Sequence, residues 1–514
     1  MTAPALNRPM ITVSVMLATI IQALDTTIAN VALPHMQGAL SASQDQITWV
    51  LTSYIVAAAI ATPLTGWMCD RFGQKQVFLV SVGGFTLASM LCGFSGSLAQ
   101  IVGARLLQGL FGAALVPLSQ AVMLAINPPE KRGSAMAIWG VGVMVGPILG
   151  PTLGGWLTDS YDWRWVFFIN LPIGALAFYG IWRYIHADTA RRSMTFDTFG
   201  FATLSLGIGA LQMLLDRGEQ NDWLSSTETW VELIMMVVAF AFLLAHTWTT
   251  RPEKAFFDYR LLKDRNFVTG VFFIFIVGAV LYATRALTPP MLQGLMDYPV
   301  ATAGLVTAPS GLGTMISMFV VGRLVGKVDL RLLLLCGFGV TAFSLYQMSG
   351  YTLVLSEGDI IWPGLIQGIG LGLVFVPLSA VSFSTLPPHM FAQATSTYSL
   401  MRNIGSSIGI SAVQTLLVRN TQIAHASLTE QLTYSHLASQ VPINGTAGFN
   451  PQSMANLAAL NGEVTRQAAM IAYVDDFVLM LAATLLVIPL LLLIKPPKRG
   501  AGGAAAGAAH AAAD

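Results

Sequence analysis

Charge is scarce in this chain. Of its 514 residues only 10% are Asp, Glu, Lys or Arg, while 54% are hydrophobic and the mean hydropathy is +0.66. Soluble domains carry about 25% charged residues, so a water-soluble protein is excluded. The net charge of +1 is spread over dispersed bases and acids, which leaves no footprint for nucleic acid. Three cysteines, Cys69, Cys92 and Cys336, are odd in number and lie in or beside apolar segments, which argues against a disulfide framework. The seven histidines are scattered, and no H-E-x-x-H, cysteine–histidine cluster or Walker-type loop occurs. No cofactor or metal is expected, and the chain does not read as an enzyme; work must be driven by an ion gradient or by cargo alone.

What the chain has is long apolar runs. Segments of spanning length fall near 10–33, 47–67, 76–96, 99–126, 134–157, 164–184, 198–215, 229–249, 267–288, 301–322, 331–350, 360–385, 394–418 and 474–494. The pattern predicts an all-α polytopic membrane protein with fourteen transmembrane helices, the first a retained helix rather than a cleaved signal. With the N-terminus inside, 19 of the 26 Lys and Arg residues fall in inside loops, four outside and three, Arg105, Arg285 and Arg402, within spans. Both termini are therefore expected in the cytoplasm. A long polar outside loop is expected over 419–473, with helical pieces around NPQSMANLAALNGEVTRQAAMIAYV. The tail AGGAAAGAAHAAAD is low in complexity, and 496–514 is expected to be disordered.

The stretch from Gln108, QGLFGAALVPLSQAVMLAINPP, recurs from Gln367 as QGIGLGLVFVPLSAVSFSTLPP. The offset of 259 to 260 residues pairs the VPLS runs and the double prolines, and lands Gly146 on Gly405 and Gly150 on Gly409. A duplicated bundle is the sign of a transporter whose halves rock about a central site. The expected domains are a six-helix bundle over 1–185, two extra helices with linkers over 186–260, and a second six-helix bundle over 261–495.

GWMCDRFGQK, Gly66 to Lys75, between the second and third spans, resembles the G-x-x-x-D-R-x-G-x-K signature of the major facilitator superfamily. The resemblance implies a conformational latch made by Gly66, Asp70, Arg71, Gly73 and Lys75, with Asp70 capping a helix that begins near Gln393. GVGVMVGPILGPTLGGW sets Gly142, Gly146, Gly150 and Gly154 every fourth residue, a small-residue stripe for close packing, with Pro147 and Pro151 bending the helix. It is similar to the family's antiporter motif around Gly146-Pro147. LDTTIANVALP, YDWRWVFFINLPIG and LLDRGEQNDW resemble the fourteen-span drug:proton antiporters, and nearest among them the EmrB-type inner-membrane subunits of tripartite multidrug pumps. One departure is Arg285, where that type generally has an uncharged residue.

Asp25 stands alone as a carboxylate well inside a span, at a cost of roughly 2.5–3.5 kcal/mol on insertion scales. At 100° per residue Gln22, Asp25, Thr26, Ala29 and Asn30 share one helix face, with Ile21, Leu24, Ile28 and Val31 on the other. In the fourth span Arg105, Gln108, Gly109 and Gly112 likewise share a face. A carboxylate held between desolvation and an arginine can exchange its proton, so Asp25 and Arg105 are the expected proton-coupling pair, weighed against a purely structural ion pair. Gln22, Thr26, Asn30, Gln108, Tyr282, Arg285, Gln367, Tyr398 and Arg402 are the expected cavity residues. Arg285 is placed in the outer third of its span, where snorkelling competes with cargo contact, and Arg402 could equally be a structural tie.

The expected function is a proton-driven exporter of hydrophobic neutral or anionic drugs or amphiphiles across the cell inner membrane. Its implied partners are protons, a periplasmic adaptor (membrane fusion) protein and an outer-membrane channel, with no nucleic acid. Two alternatives stand beside it, a proton-coupled symporter for a nutrient and a membrane sensor or scaffold that carries no flux.

Overall fold

The computed structural model describes residues 7–186, 196–250, 259–432 and 454–493. The expected disordered tail and the basic residues Arg191, Arg192, Arg251, Lys254, Lys495, Lys498 and Arg499 lie outside them. Sixteen helices carry the architecture, leaving single turns unnumbered. The first bundle holds α1 (Arg8–Ala39), α2 (Trp49–Ala61), α3 (Leu64–Phe72), α4 (Gln74–Phe94), α5 (Leu98–Gly112), α6 (Leu115–Ile126), α7 (Arg132–Ser160) and α8 (Asn170–Tyr184). Two further helices follow, α9 (Thr198–Arg217) and α10 (Thr227–Thr249). The second bundle holds α11 (Arg265–Leu295), α12 (Val300–Leu324), α13 (Leu330–Met348), α14 (Glu357–Ser382), α15 (Phe391–Gln431) and α16 (Met454–Val487).

Twelve spans among the described residues are long and apolar enough to cross a membrane, α5 and α6 together making one, and the pair α2–α3 makes a thirteenth. That pair bends by 54° at Thr62-Pro63, where the ring removes a backbone donor. The expected span at 394–418 lies inside α15, whose 41 residues make it compatible with a fourteenth crossing. This is a multi-pass membrane protein.

Local chemistry sets the ends. Asp264 accepts from Phe267 N at 2.8 Å to start α11, and Asp329 accepts from Arg331 N at 2.8 Å to start α13. The turns α3–α4 and α12–α13 both pivot on a glycine at φ +90°, Gly73 and Gly326, a conformation that side chains rarely adopt. Both turns lie at the end of the molecule that also carries Lys131 and Arg132, hereafter the basic end.

The duplication is visible in packing. Gly146 and Gly150 of α7 press on the Ala23 backbone and Thr27 of α1, and four residues apart in the same way Gly405 and Gly409 of α15 press on the backbones of Phe275 and Ala279 of α11. The two bundles meet along α7 and α12, from Gly133 against Val325 at the basic end, past Gly140 against Met318, to Gly304 against Pro151. Ser134 Oγ donates to Gly322 O at 2.6 Å across that seam. The extra helix α9 spans both bundles as well. Ile208 packs with Ala59 of α2 and Leu400 of α15, and Gln212 Oε1 accepts from Ser407 Oγ at 3.0 Å.

The expectation for the end of the second bundle changes. The helix that carries the last span begins at Met454, where helical pieces were expected, and α15 continues to Gln431, so the described part of the loop expected over 419–473 is almost wholly helical; 433–453 lies outside the described residues. At about 1.5 Å per residue α15 is roughly 60 Å long, twice the hydrocarbon thickness. Its C-terminal part and the first part of α16 project together, joined by His425 Nε2 and Asn461 Oδ1 at 3.0 Å. In the first bundle, Ile21, Leu24 and Ile28 are as buried as Asp25, because both faces of α1 pack against protein.

Candidate functional site

Asp25 sits inside the first bundle with 1% of its surface exposed, and so does Arg105. One turn of α5 separates Arg105 from Gln108, so both side chains reach α1. Arg105 Nη1 donates to Asp25 Oδ2 at 2.7 Å, and Gln108 Nε2 donates to Asp25 Oδ1 at 2.8 Å. Asn170, the first residue of α8, donates from Nδ2 to the same Oδ1 at 2.9 Å and to Ser89 Oγ at 2.9 Å. The guanidinium is held in turn: its Nε donates to Val50 O at 3.1 Å, its Nη1 to Gln108 Oε1 at 2.8 Å, and its Cζ lies 4.5 Å from the centre of the Tyr54 ring. Cys92 Sγ donates to Gln108 Oε1 at 3.4 Å.

Five helices thus converge on one carboxylate, which receives three donors, one of them cationic. Such an arrangement offsets the loss of hydration that would otherwise make a buried charge untenable. Chemically it clamps the carboxylate between α5 and α8, and freeing it requires α1, α5 or α8 to move. Opposite this cluster on α1, Thr27 Oγ1 donates to Gly146 O at 3.1 Å. The glycine stripe therefore fixes the rotation of α1 that points Asp25 at Arg105. All four glycines face α1, Gly142 against Met16 and Gly154 against Ile28 and Val31.

A separate cavity of ≈ 20 Å³ lies between the bundles. Val143 and Met144 of α7, Met318 of α12, Leu371 and Phe375 of α14, and Tyr282, Arg285 and Arg402 line it. Drug sites run to roughly 300–1,000 Å³, so this state is closed around its centre. The lining is apolar except for the two arginines and the tyrosine. Arg285 thus borders the space between the bundles, well past the middle of α11.

The other expected cavity residues go elsewhere. Gln108 is committed to Asp25. Tyr398 is buried in the second bundle with its Oη 3.5 Å from Ser379 Oγ. Gln367 is buried, and its Nε2 has no partner among the described residues. Gln22 and Thr26 are half-buried and Asn30 is exposed; none of the three lines the cavity. In the basic loop, Gly66 faces the backbone of Gln393, with 2.9 Å from a Cβ built on it to Gln393 Cα, which brings α3 against the first turn of α15. Asp70 and Arg71 occupy the last turn of α3, while Lys75 Nζ donates to Trp182 O at the end of α8 at 2.7 Å.

Sequence reasoning missed Asn170, Ser89, Cys92 and Tyr54 around Asp25. Asn170 had a signal, an amide inside the apolar run VFFINLPIG. Asp25 is also not the only buried carboxylate. Asp476 of α16 is 1% exposed and Glu232 of α10 is 4% exposed. Asp476 escaped notice because the last span was begun at 474, which left it at a water-facing edge.

Residues 15–410 match the model of the Major Facilitator Superfamily. Fatty acid resistance protein FarB of Neisseria gonorrhoeae is 36% identical over 473 residues, 91% of this chain and 92% of that one. Multidrug export protein EmrB of Escherichia coli K12 is 38% identical over 462 residues, 89% of this chain and 87% of that one. Among solved structures, the human organic anion transporter MFSD10 (TETRAN) superposes with a TM-score of 0.59 at 15% identity, covering 93% of this chain and 99% of its own. The chain belongs to the Major Facilitator Superfamily.

Proposed function

We propose that this protein is a proton-driven multidrug exporter whose cargo is hydrophobic and neutral or anionic. The observation that carries the reading is the division of labour between two places. A carboxylate–guanidinium cluster lies wholly inside the first bundle, and a separate apolar cavity with two arginines lies between the bundles. Protons and cargo then act on different residues of one rocking machine. Protonation of Asp25 loosens its hold on Arg105 and Asn170, frees α1 to shift against α5 and α8, and favours one state; cargo in the cavity favours the other. The multidrug export and fatty acid resistance named for the two relatives support an exporter of amphiphilic compounds.

The basic end faces the cytoplasm in this reading, by the positive-inside rule. The contact of Gly66 with Gln393 then belongs to a cytoplasmic latch, and the joined extensions of α15 and α16 project into the periplasm. There they dock a periplasmic adaptor, which passes cargo to an outer-membrane channel. The deciding experiment is proton flux in inside-out vesicles from cells of the inner-membrane type, challenged with lipophilic compounds of differing charge. Cargo-driven proton release is expected; transport with no proton movement would refute the coupling.

A further inference from the structure

Asp476 and Asp25 share the same burial and nothing else. Asp25 has a guanidinium and two amides, whereas neither oxygen of Asp476 has a partner among the described residues. Around Asp476, α16 packs against α11, α13 and α15. Its neighbours on the helix, Tyr473, Phe477 and Met480, belong to one apolar cluster with Val280, Ala283 and Leu287 of α11, Leu345 and Met348 of α13, and Val413 of α15. The titratable groups there are Tyr473 on the same helix and Tyr351 just beyond α13, whose ring meets Phe477 edge-on at 5.7 Å. The charge that acts on Asp476 is its neighbour Asp475, of like sign. Arg466, the basic residue on α16, lies ten positions away, about 15 Å along the helix, and pairs with Glu463.

Among the described residues no side chain donates to Asp476, so an ionised carboxylate there has nothing to offset the cost of its burial. A structural role is therefore a poor explanation for it. The repeat sharpens the contrast. Matching Ala23 and Thr27 with Phe275 and Ala279 sets Val277 of the second bundle where the first has Asp25. The second bundle lacks an acid on its first span and carries one on its last.

We propose that Asp476 is a second proton-binding site, in the second bundle, that loads and empties once in each transport cycle. The proposal rests on the proton-driven reading given above. An unpartnered acid needs only a small shift of α16 against α13 to reach water, whereas Asp25 must first break three hydrogen bonds. The two bundles then move protons by different means, one gated by a salt bridge and the other by burial alone.

Two measurements test it. Infrared difference spectra of the detergent-solubilised chain, taken between acidic and alkaline pH, read the carbonyl stretch of protonated carboxylic acids without any cargo. A band present in the wild type and in Asp25→Asn should vanish in Asp476→Asn; an Asp476→Asn spectrum identical to wild type would overturn the proposal. In vesicles with dodecanoate as probe, Asp476→Asn should keep transport but halve the protons moved per probe molecule, and an unchanged ratio would overturn the coupling role. Absence of proton flux in the wild type would instead overturn the proton-driven reading, a failure distinct from the infrared result. Asp476→Leu guards against misfolding: its Tm should equal or exceed that of the wild type, and a marked fall would mean a structural carboxylate after all.

Discussion

Arg105 Nη1 lies 2.7 Å from Asp25 Oδ2, with both side chains 1% exposed, and among the described residues they are the two buried charges of the first bundle. Breaking a buried pair from one side typically costs about 3–5 kcal/mol, because the survivor is left charged and unpaired.

Asp25→Asn should therefore insert but lose thermal stability, and cargo-driven proton flux should vanish. Arg105→Ala should lose at least as much stability. The double variant Asp25→Asn/Arg105→Gln removes both charges, so its Tm should exceed that of either single variant while transport stays dead. A thermal-shift series in detergent checks the order; additive losses would mean the two side chains are not coupled.

The glycine stripe offers a graded test. A Cβ on Gly142 would meet only the flexible end of Met16, at 3.1 Å from Cε, whereas a Cβ on Gly146 would run into the backbone of Ala23. Gly142→Ala should be tolerated within about 1 kcal/mol, and Gly146→Ala should cost more, since backbone cannot move aside. Gly405→Ala, facing the Phe275 backbone, should behave like Gly146→Ala. Folded yield by size-exclusion chromatography ranks the three.

At the basic end, Gly66→Ala sets a methyl against Gln393, and Gly73→Val forces a branched side chain to φ +90°. Neither position touches the cavity. Both variants should bind cargo with nearly wild-type Kd in detergent yet turn over at least tenfold more slowly. Equal losses in binding and turnover would remove the latch.

The sequence made much of this legible for a physical reason. Spans are long and the cost of charge in lipid is high, so fourteen apolar runs and one acid among them stand out. The repeat was readable because QG, VPLS and the double proline recur at nearly constant spacing, and the same offset carries Gly146 and Gly150 onto glycines. Helix ends at the water boundary were harder, since α15 and α16 continue as helices after their lipid-facing character fades, and that error hid Asp476. The cavity was half legible. Tyr282, Arg285 and Arg402 border one cavity, but Gln108 and Tyr398 bond within their own bundles, and single-helix periodicity does not say which neighbour a polar face will meet.

The projecting helices expose Ile423, Met454 and Leu457, an apolar set away from any bundle core. If these dock the adaptor, Ile423→Glu with Leu457→Glu should spare transport in inner-membrane vesicles and abolish resistance in cells. Co-purification of the adaptor with the double variant at wild-type yield would count against it.

The last prediction concerns cargo charge. Arg285 and Arg402 both border the cavity, and no acidic residue does. Asp25 cannot balance them, because its charge is already offset by Arg105 in another compartment, and Asp476 is absent from the lining. The sequence suggested that no second buried carboxylate existed; Asp476 and Glu232 correct that count, but neither alters the field where cargo sits. Coulomb energies scale inversely with dielectric, so a small apolar cavity magnifies the positive bias as it closes. A lipophilic acid should gain from that field, while a dication of similar size should be repelled twice over. In competition assays with vesicles, Arg285→Ala and Arg402→Ala should each weaken export of the acid by at least tenfold, roughly 1.4 kcal/mol. Neither should weaken export of a neutral analogue. Loss of acid and neutral cargo together would assign the arginines to structure, and a wild-type preference for the dication would refute the electrostatic argument itself.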